Sequence, residues 1–375
     1  MSRCHAIGAV RRGARRLRWD VYRVSVRGRL ALWHALAVMG RPRIQMMEES
    51  ARGPIIGDDD PVRALAPFHS GAATKPAYRY SARVDGRAWV EPRYGYVITA
   101  PAALIYFSGV PPLIGYARMR AMRRGIRRED AVLTLRHPFD TNYFHALFDV
   151  LPRVAMADAA GMPHNTPILI SRRLAETPFF GAWMTRGDLA RRRWLVQDDS
   201  YVEAATVWYA RSDMADRALL DRALDLIDAP HADPLATDRI FLGRSLARGR
   251  SLSNMAAIAP ILDRYGVRVV DADDLPADEQ MRLFAGVRVV VGLHGAGLSN
   301  LLFRRGAPLD LVELCPPIGA TLDFCGLARV YGYGYYRIVG ADASDATRAA
   351  NYSIDPAALD ATLQTILSTL PAATG

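Results

Sequence analysis

From residue 239 to its end, the chain alternates short apolar runs with amphipathic ones, and this rhythm leaves few folds open. RIFLG (239–243), VRVVDA (267–272), VRVVVGL (287–293), LDLVEL (309–314) and YYRIVG (335–340) each have the length and branching of a buried strand. Helix-like stretches fall between and after them, at 254–265, 276–285, from 297, 320–331 and 356–369. Strands that alternate one by one with helices form a parallel sheet covered on both faces, so the expected class is α/β.

Upstream the pattern is mixed. RAWVEPRYGYVITA (87–100), ALIYFSGV (103–110), AVLTL (131–135), PILIS (167–171), RRWLVQ (192–197) and VEAATVWYA (202–210) suggest strands. Helices are expected at about 140–160, ending at Gly161, and at 213–228. The stretch 117–130 looks like a charged connection. DAPHADPLATD (228–238) is rich in Pro and Asp, lacks periodicity, and marks an interdomain linker. A length of 375 residues suits two domains. Three parts follow: a basic segment and linker at 1–60, an N-terminal α/β domain at 61–230, and a C-terminal domain at 231–375. The last helix is expected to pack back on the N-terminal domain.

Lys and Arg number 48 against 38 Asp and Glu, a net charge of +10, and Lys75 is the single lysine. Arginine forks suit phosphate, and a positive face attracts anions. Charge alone admits nucleic acid, an anionic membrane or a phosphorylated small molecule. Three cysteines, Cys4, Cys315 and Cys325, are too few and wrongly spaced for a disulfide framework or a metal knuckle, which fits a reducing, cytoplasmic setting. No stretch approaches the roughly 18 apolar residues of a membrane-spanning helix. LALWHALAVMG (30–40) makes a poor signal peptide, and behind its arginines it suits peripheral contact with an anionic membrane.

In a parallel sheet, ligands bind beyond the carboxyl ends of the strands. VRVVVGLHGAGLSN (287–300) is a strand, a glycine loop and a helix start. The glycines allow a ligand close to the backbone, and the free N–H groups of a helix start hold phosphate. His294 stands at the mouth of that loop, placed to donate to a phosphate oxygen; Asn300 follows, which a plain turn does not need. In RIFLGRSLARGRSLSN (239–254), Arg244 sits where a strand ends, with Arg248 and Arg250 behind, able to clamp a pyrophosphate bidentately. Glu313 ends the next strand, where acids hold ribose hydroxyls in nucleotide folds.

The upstream helix TNYFHALFDVLPRV (141–154) carries the other constellation. At 100° per residue, Asn142, His145, Asp149 and Arg153 fall within an arc of about 80°. Phe144, Leu147, Phe148 and Leu151 fall opposite and belong to a core. His145 and Asp149 lie one turn apart, within hydrogen-bonding range, as a general base and its orienting partner would. Pro152 implies a kink or an early end.

Several readings fall away. HGAG resembles the oxyanion-hole string of esterases, but the chain has no G-x-S-x-G nucleophile elbow. No G-x-G-x-x-G opens a βαβ unit, which disfavours a dinucleotide-dependent oxidoreductase. Aromatic–basic interleaving typical of single-strand nucleic-acid platforms is missing. A non-catalytic nucleotide- or polyanion-binding protein remains the alternative. DAD (271–273) ends a strand away from the phosphate loop and reads as a loop or helix cap; DDD (58–60) lies in the linker.

Taken together, NYFHALFDVLPR, RIFLGRS…R…N and EQMRLFAGVRVVVGLHGAGLSNLLF…LDLVEL resemble glycosyltransferase family 61 in order and spacing, over roughly 140–315. The resemblance implies a GT-B-like architecture, two Rossmann-like domains whose parallel sheets face an interdomain cleft. It implies an inverting enzyme without metal or other cofactor, moving a hexosyl or pentosyl group from a nucleotide-sugar, with a UDP-sugar as the first guess. The acceptor would be a hydroxyl of a glycan or lipid-linked glycan, in capsular polysaccharide or exopolysaccharide biosynthesis. Arg244, Arg250, Asn254, His294, Gly295, Ala296, Gly297, Asn300 and Glu313 match the donor-site pattern. Asp149 and His145 match the catalytic helix, with Asn142 and Arg153 as support on the acceptor side. One departure is Met255, which stands where relatives commonly carry an acid.

Overall fold

The computed structural model describes residues 43–52, 77–92, 95, 97–99, 103–105, 126–212, 214, 216–243, 251–341 and 351–370. The LALWHALAVMG stretch, the GPIIGDDDP linker, Lys75 and the arginine loop 244–250 lie outside those residues. Two sheets organise the chain. The C-terminal one holds β9 (Asp238–Leu242), β10 (Arg268–Val270), β11 (Val287–Leu293), β12 (Asp310–Cys315) and β13 (Gly334–Val339), in the order β10-β9-β11-β12-β13. Every pair in it is parallel. Its inner strands β11 and β12 are buried by helices on both faces, as their near-continuous Val and Leu content demands. Strand order reverses between β9 and β11, where Leu242 pairs with Gly292. A crevice opens beyond the carboxyl ends at such a reversal.

The N-terminal sheet is larger than the sequence expectation. It holds β1 (Arg43–Arg52), β2 (Ala77–Val90), β3 (Val97–Thr99), β4 (Ala103–Ile105), β5 (Ile126–Thr134), β6 (Ile168–Ser171), β7 (Trp194–Gln197) and β8 (Tyr201–Arg211). The path runs β4-β3-β2-β8-β5-β6-β7, with β1 also paired to β2. The β8-β5-β6-β7 part is parallel, as expected for an α/β domain; β1 to β4 extend it with antiparallel pairs. Two corrections follow. Residues 43–52 form a strand on β2 and not part of a basic tail. The 126–130 end of the expected charged connection is the start of β5, because its charges reach across strands: Arg128 pairs with Glu203, and Glu129 with Arg193.

The two-domain, Rossmann-like α/β arrangement holds, and one core cluster runs through both halves, from Leu133 and Trp183 to Phe284 and Phe303. The linker before β9 is fastened along its length. Arg186 donates to the carbonyls of Ile227 and Asp228 and pairs with Asp278. Buried Arg304 donates to the carbonyls of Asp233, Ala285 and Pro308. The last helix, Pro356–Ser368, packs Leu359, Leu363 and Ile366 with Ile258 and Leu262 against the C-terminal sheet. That corrects the expectation that it returns to the N-terminal domain: its apolar stripe matches the open face of the sheet it follows. Elsewhere, the helix expected at 213–228 is Arg217–Asp225, and DAD leads into a short 3-10 turn, Ala272–Asp274.

Candidate active site

The helix expected at 140–160 is not one α-helix. Tyr143–His145 is α-helical, Ala146–Val150 forms a π turn, and Pro152–Ala159 is α-helical again. The cause is Pro152. In an α-helix the carbonyl of Phe148 would accept from the N–H of residue 152, which proline lacks, and the ring crowds that carbonyl. Here Leu151 N–H reaches back five residues to Ala146, and the Phe148 carbonyl accepts from the Ser212 hydroxyl. The extra residue turns the following segment by about 100° relative to an unbroken helix. This corrects the expected polar arc. His145 and Asp149 still meet, with Nδ1–H of His145 donating to Asp149 Oδ2 at 2.6 Å. Arg153, by contrast, is buried and donates to the Arg136 carbonyl. Asn142 is the N-cap, its side chain accepting from Phe144 N–H.

Around this pair lie residues that the sequence reading passed over. His137, just beyond the carboxyl end of β5, has its ring 5.2 Å from that of His145. Phe139 stacks on His145 at 5.4 Å and 28°. The signal was available: a histidine in RHPFD at the end of a parallel strand is where a ligand-facing side chain belongs. Beneath them Arg136 and Asp140 form a buried pair at 3.5 Å. Burial pushes the Asp149 carboxyl up, but the hydrogen bond from His145 and the charges of His137, Arg153 and His145 together pull it below its ordinary value. A carboxyl lowered in this way is a weak base, and its bond to Nδ1 orients the His145 ring. The side chains keep 31% and 33% exposure, enough for a substrate to reach them.

The second constellation closes the other side. His294 leaves the end of β11, and Nδ1–H donates to Glu313 Oε1 at 2.6 Å. The other carboxylate oxygen accepts from the Tyr335 hydroxyl at 2.5 Å, and Glu313 is wholly buried. The expected ribose contact thus meets a carboxylate whose two oxygens are already engaged inside the protein. After extended Gly295, a nine-residue 3-10 helix, Ala296–Arg304, replaces the expected α-helix. Its glycines serve packing as well as access. A side chain at Gly292 would meet Leu298 at 2.5 Å, and one at Gly297 would meet Leu242 at 3.2 Å. Asn300 is buried: it accepts from the Tyr143 hydroxyl at 2.6 Å and donates to Gly297 and Gln280. So the two sequence motifs touch, through Tyr143 of one and Asn300 of the other. Asn254 exchanges both amide hydrogen bonds with the Ile354 backbone. Arg244 and Arg250 lie outside the described residues, but β9 ends at Leu242, beside the strand that carries His294.

Two phenylalanines join the constellations. Phe144 lies 5.4 Å from His145 and 6.0 Å from Phe324, and Phe324 lies 5.8 Å from His294. Two histidine–carboxylate pairs therefore flank one aromatic contact between the domains. Among the described residues, two groups come close enough to suggest a metal: His137, His145 and Asp149, and His294, Glu313 and Cys315. Their chemistry fits poorly. Nδ1 of His137 already accepts from Phe139 N–H. The Cys315 thiol is pushed up to about 12, first by burial, and accepts from Arg337. Neither set presents three ready lone pairs.

Residues 143–315, which hold both pairs, match the family described as Glycosyltransferase 61. The chain is also 31% identical, over 90 residues, to an EGF domain-specific O-linked N-acetylglucosamine transferase of Drosophila melanogaster. That stretch is 23% of this chain and 17% of the relative, so the match spans about a sixth of the relative's length. The part of the chain that carries both histidine–carboxylate pairs is thus the part similar to glycosyltransferase family 61.

Proposed function

We propose that the protein is an inverting glycosyltransferase that moves a sugar from a nucleoside diphosphate donor to an acceptor hydroxyl without a metal. The observation that carries this is the facing of the two histidine–carboxylate pairs across Phe144 and Phe324, one reachable and one buried. His145 takes the proton of the acceptor hydroxyl at Nε2 while Asp149 holds Nδ1. The hydroxyl oxygen bonds to the anomeric carbon as the carbon–oxygen bond to the diphosphate breaks on the opposite face, which inverts the centre. His294 and the free N–H groups that open Ala296–Arg304 meet the charge that develops on the leaving diphosphate, with Arg244 and Arg250 as further partners.

The donor we favour is a UDP-sugar, and the name of the Drosophila relative makes UDP-N-acetylglucosamine the first to try. The acceptor is a glycan or lipid-linked glycan in surface polysaccharide assembly, met at the cytoplasmic side of a membrane that the basic N-terminus touches. No helix among the described residues is long and apolar enough to cross a membrane. Calorimetry with UDP, GDP, CMP and NAD in EDTA tests the donor site. Tight binding of one nucleoside diphosphate supports the reading; silence across the panel, or binding only after metal is restored, overturns it.

A further inference from the structure

We infer that nucleoside diphosphate binding takes up one proton, and that the proton goes to Nε2 of His294. This rests on the donor-site reading above. It follows from counting hydrogens around one ring. Glu313 is buried with one oxygen on His294 and the other on the Tyr335 hydroxyl, and as a carboxylate it offers only lone pairs to both. Burial and the neighbouring carboxylate push the Tyr335 hydroxyl up, so it stays protonated and donates. Nδ1 of His294 therefore carries a hydrogen. Nε2 receives the N–H of Thr321 at 3.4 Å, so it carries none. In the ligand-free structure the outward nitrogen therefore faces a donor, the Thr321 N–H.

A diphosphate oxygen offers only lone pairs. It can meet Nε2 only after that nitrogen gains a proton from solvent and the Thr321 N–H lets go. Both changes favour the ligand. The imidazolium then lies between two anions, Glu313 behind and the diphosphate in front, and the freed Thr321 N–H becomes a second donor. The other groups around the ring do not supply the proton. From β12 comes the Cys315 thiol, which accepts from Arg337 of β13. From the helix Asp323–Tyr331 come the Phe324 ring, which meets His294 edge-on, and Asp323, which accepts from the Thr321 hydroxyl. The opening residues of Ala296–Arg304 carry no titratable group. His145 and Asp149 lie beyond Phe144. Glu313 is the one acidic group hydrogen-bonded to the ring.

The test is titration calorimetry of UDP, GDP and CMP with the full chain in EDTA. It is run between pH 7.5 and 9, above the range where a terminal phosphate itself titrates, in buffers of different ionisation enthalpy. For the nucleotide that binds, the expected result is uptake approaching ~1 proton per site and a Kd that rises by up to about tenfold per pH unit. His294→Gln should bind more weakly with no uptake. Tyr335→Phe, which keeps Glu313 but frees one of its oxygens, should keep the uptake and move its pH midpoint. Binding whose heat and affinity ignore buffer and pH overturns the inference while leaving the donor site standing. Uptake that persists in a folded His294→Gln protein overturns the choice of His294. No binding by any of the three removes both.

Discussion

Each half of the molecule holds one histidine–carboxylate hydrogen bond of 2.6 Å, and the two are built in opposite ways. In the N-terminal half both partners come from one helical turn, four residues apart, with a third of each side chain exposed. In the C-terminal half they stand 19 residues apart on neighbouring parallel strands, and the carboxylate is sealed from water. The first pair lies open to whatever reaches that face of the helix. The second buries its carboxylate between the His294 ring and the Tyr335 hydroxyl. One bond length thus serves two tasks, and burial sets which.

The sharpest way to break this contrast is Asp149→Asn. Turning the orienting carboxylate into an amide should cut sugar transfer by about 10²–10⁴-fold, the usual worth of general base catalysis, while nucleotide affinity stays within about twofold. Steady-state rates beside calorimetry would read it, and normal transfer would strip the exposed pair of its role. Glu313→Gln asks the opposite question. The amide leaves a buried donor without an acceptor, so it should cost about 1–3 kcal/mol in denaturant unfolding and weaken nucleotide binding as well.

A smaller effect concerns the seam between the halves. Tyr143→Phe leaves the buried Asn300 Oδ1 without its hydroxyl donor and should cost about 1 kcal/mol, visible as a lower denaturation midpoint with an unchanged slope. The smallest is a pH effect. The Asp149 carboxyl titrates in the folded protein below its ordinary 3.8, so on acidification the unfolded chain binds the proton first. The stability this group contributes is full above about 4 and is lost as pH falls through the folded value. Asp149→Asn should flatten that acid limb; an unchanged limb would mean that the hydrogen bond does not persist in solution.

The C-terminal sheet was legible because its inner strands β11 and β12 are buried on both faces and so read as nearly uninterrupted apolar runs. VRVVVGL and LDLVEL match β11 and β12 almost residue for residue. Of the antiparallel strands, β3 and β4 fall inside the runs 87–100 and 103–110 that suggest strands, whereas β1 and the start of β2 were not legible, since charged residues punctuate them. Within the site, the His145–Asp149 pair could be found because an i, i+4 spacing survives the π turn. The burial of Arg153 could not, because it depends on which partner takes the carbonyl that Pro152 leaves, and that partner is Ser212, 64 residues away. The task of Glu313 was missed for a related reason. A strand-end acid looks alike from sequence whether it faces a ribose or a tyrosine on the next strand.

The π turn also sets what a transplant of this site would require. A designed scaffold offering a plain α-helix would present His145 and Asp149 side by side, yet would aim Arg153 at solvent and remove a cation from beneath the carboxylate. The portable unit is therefore larger than the pair. It includes the proline that forbids the ordinary helix and a hydroxyl from a distant strand end that stitches the broken ladder. A graft lacking either would reproduce the motif's letters and lose its electrostatics.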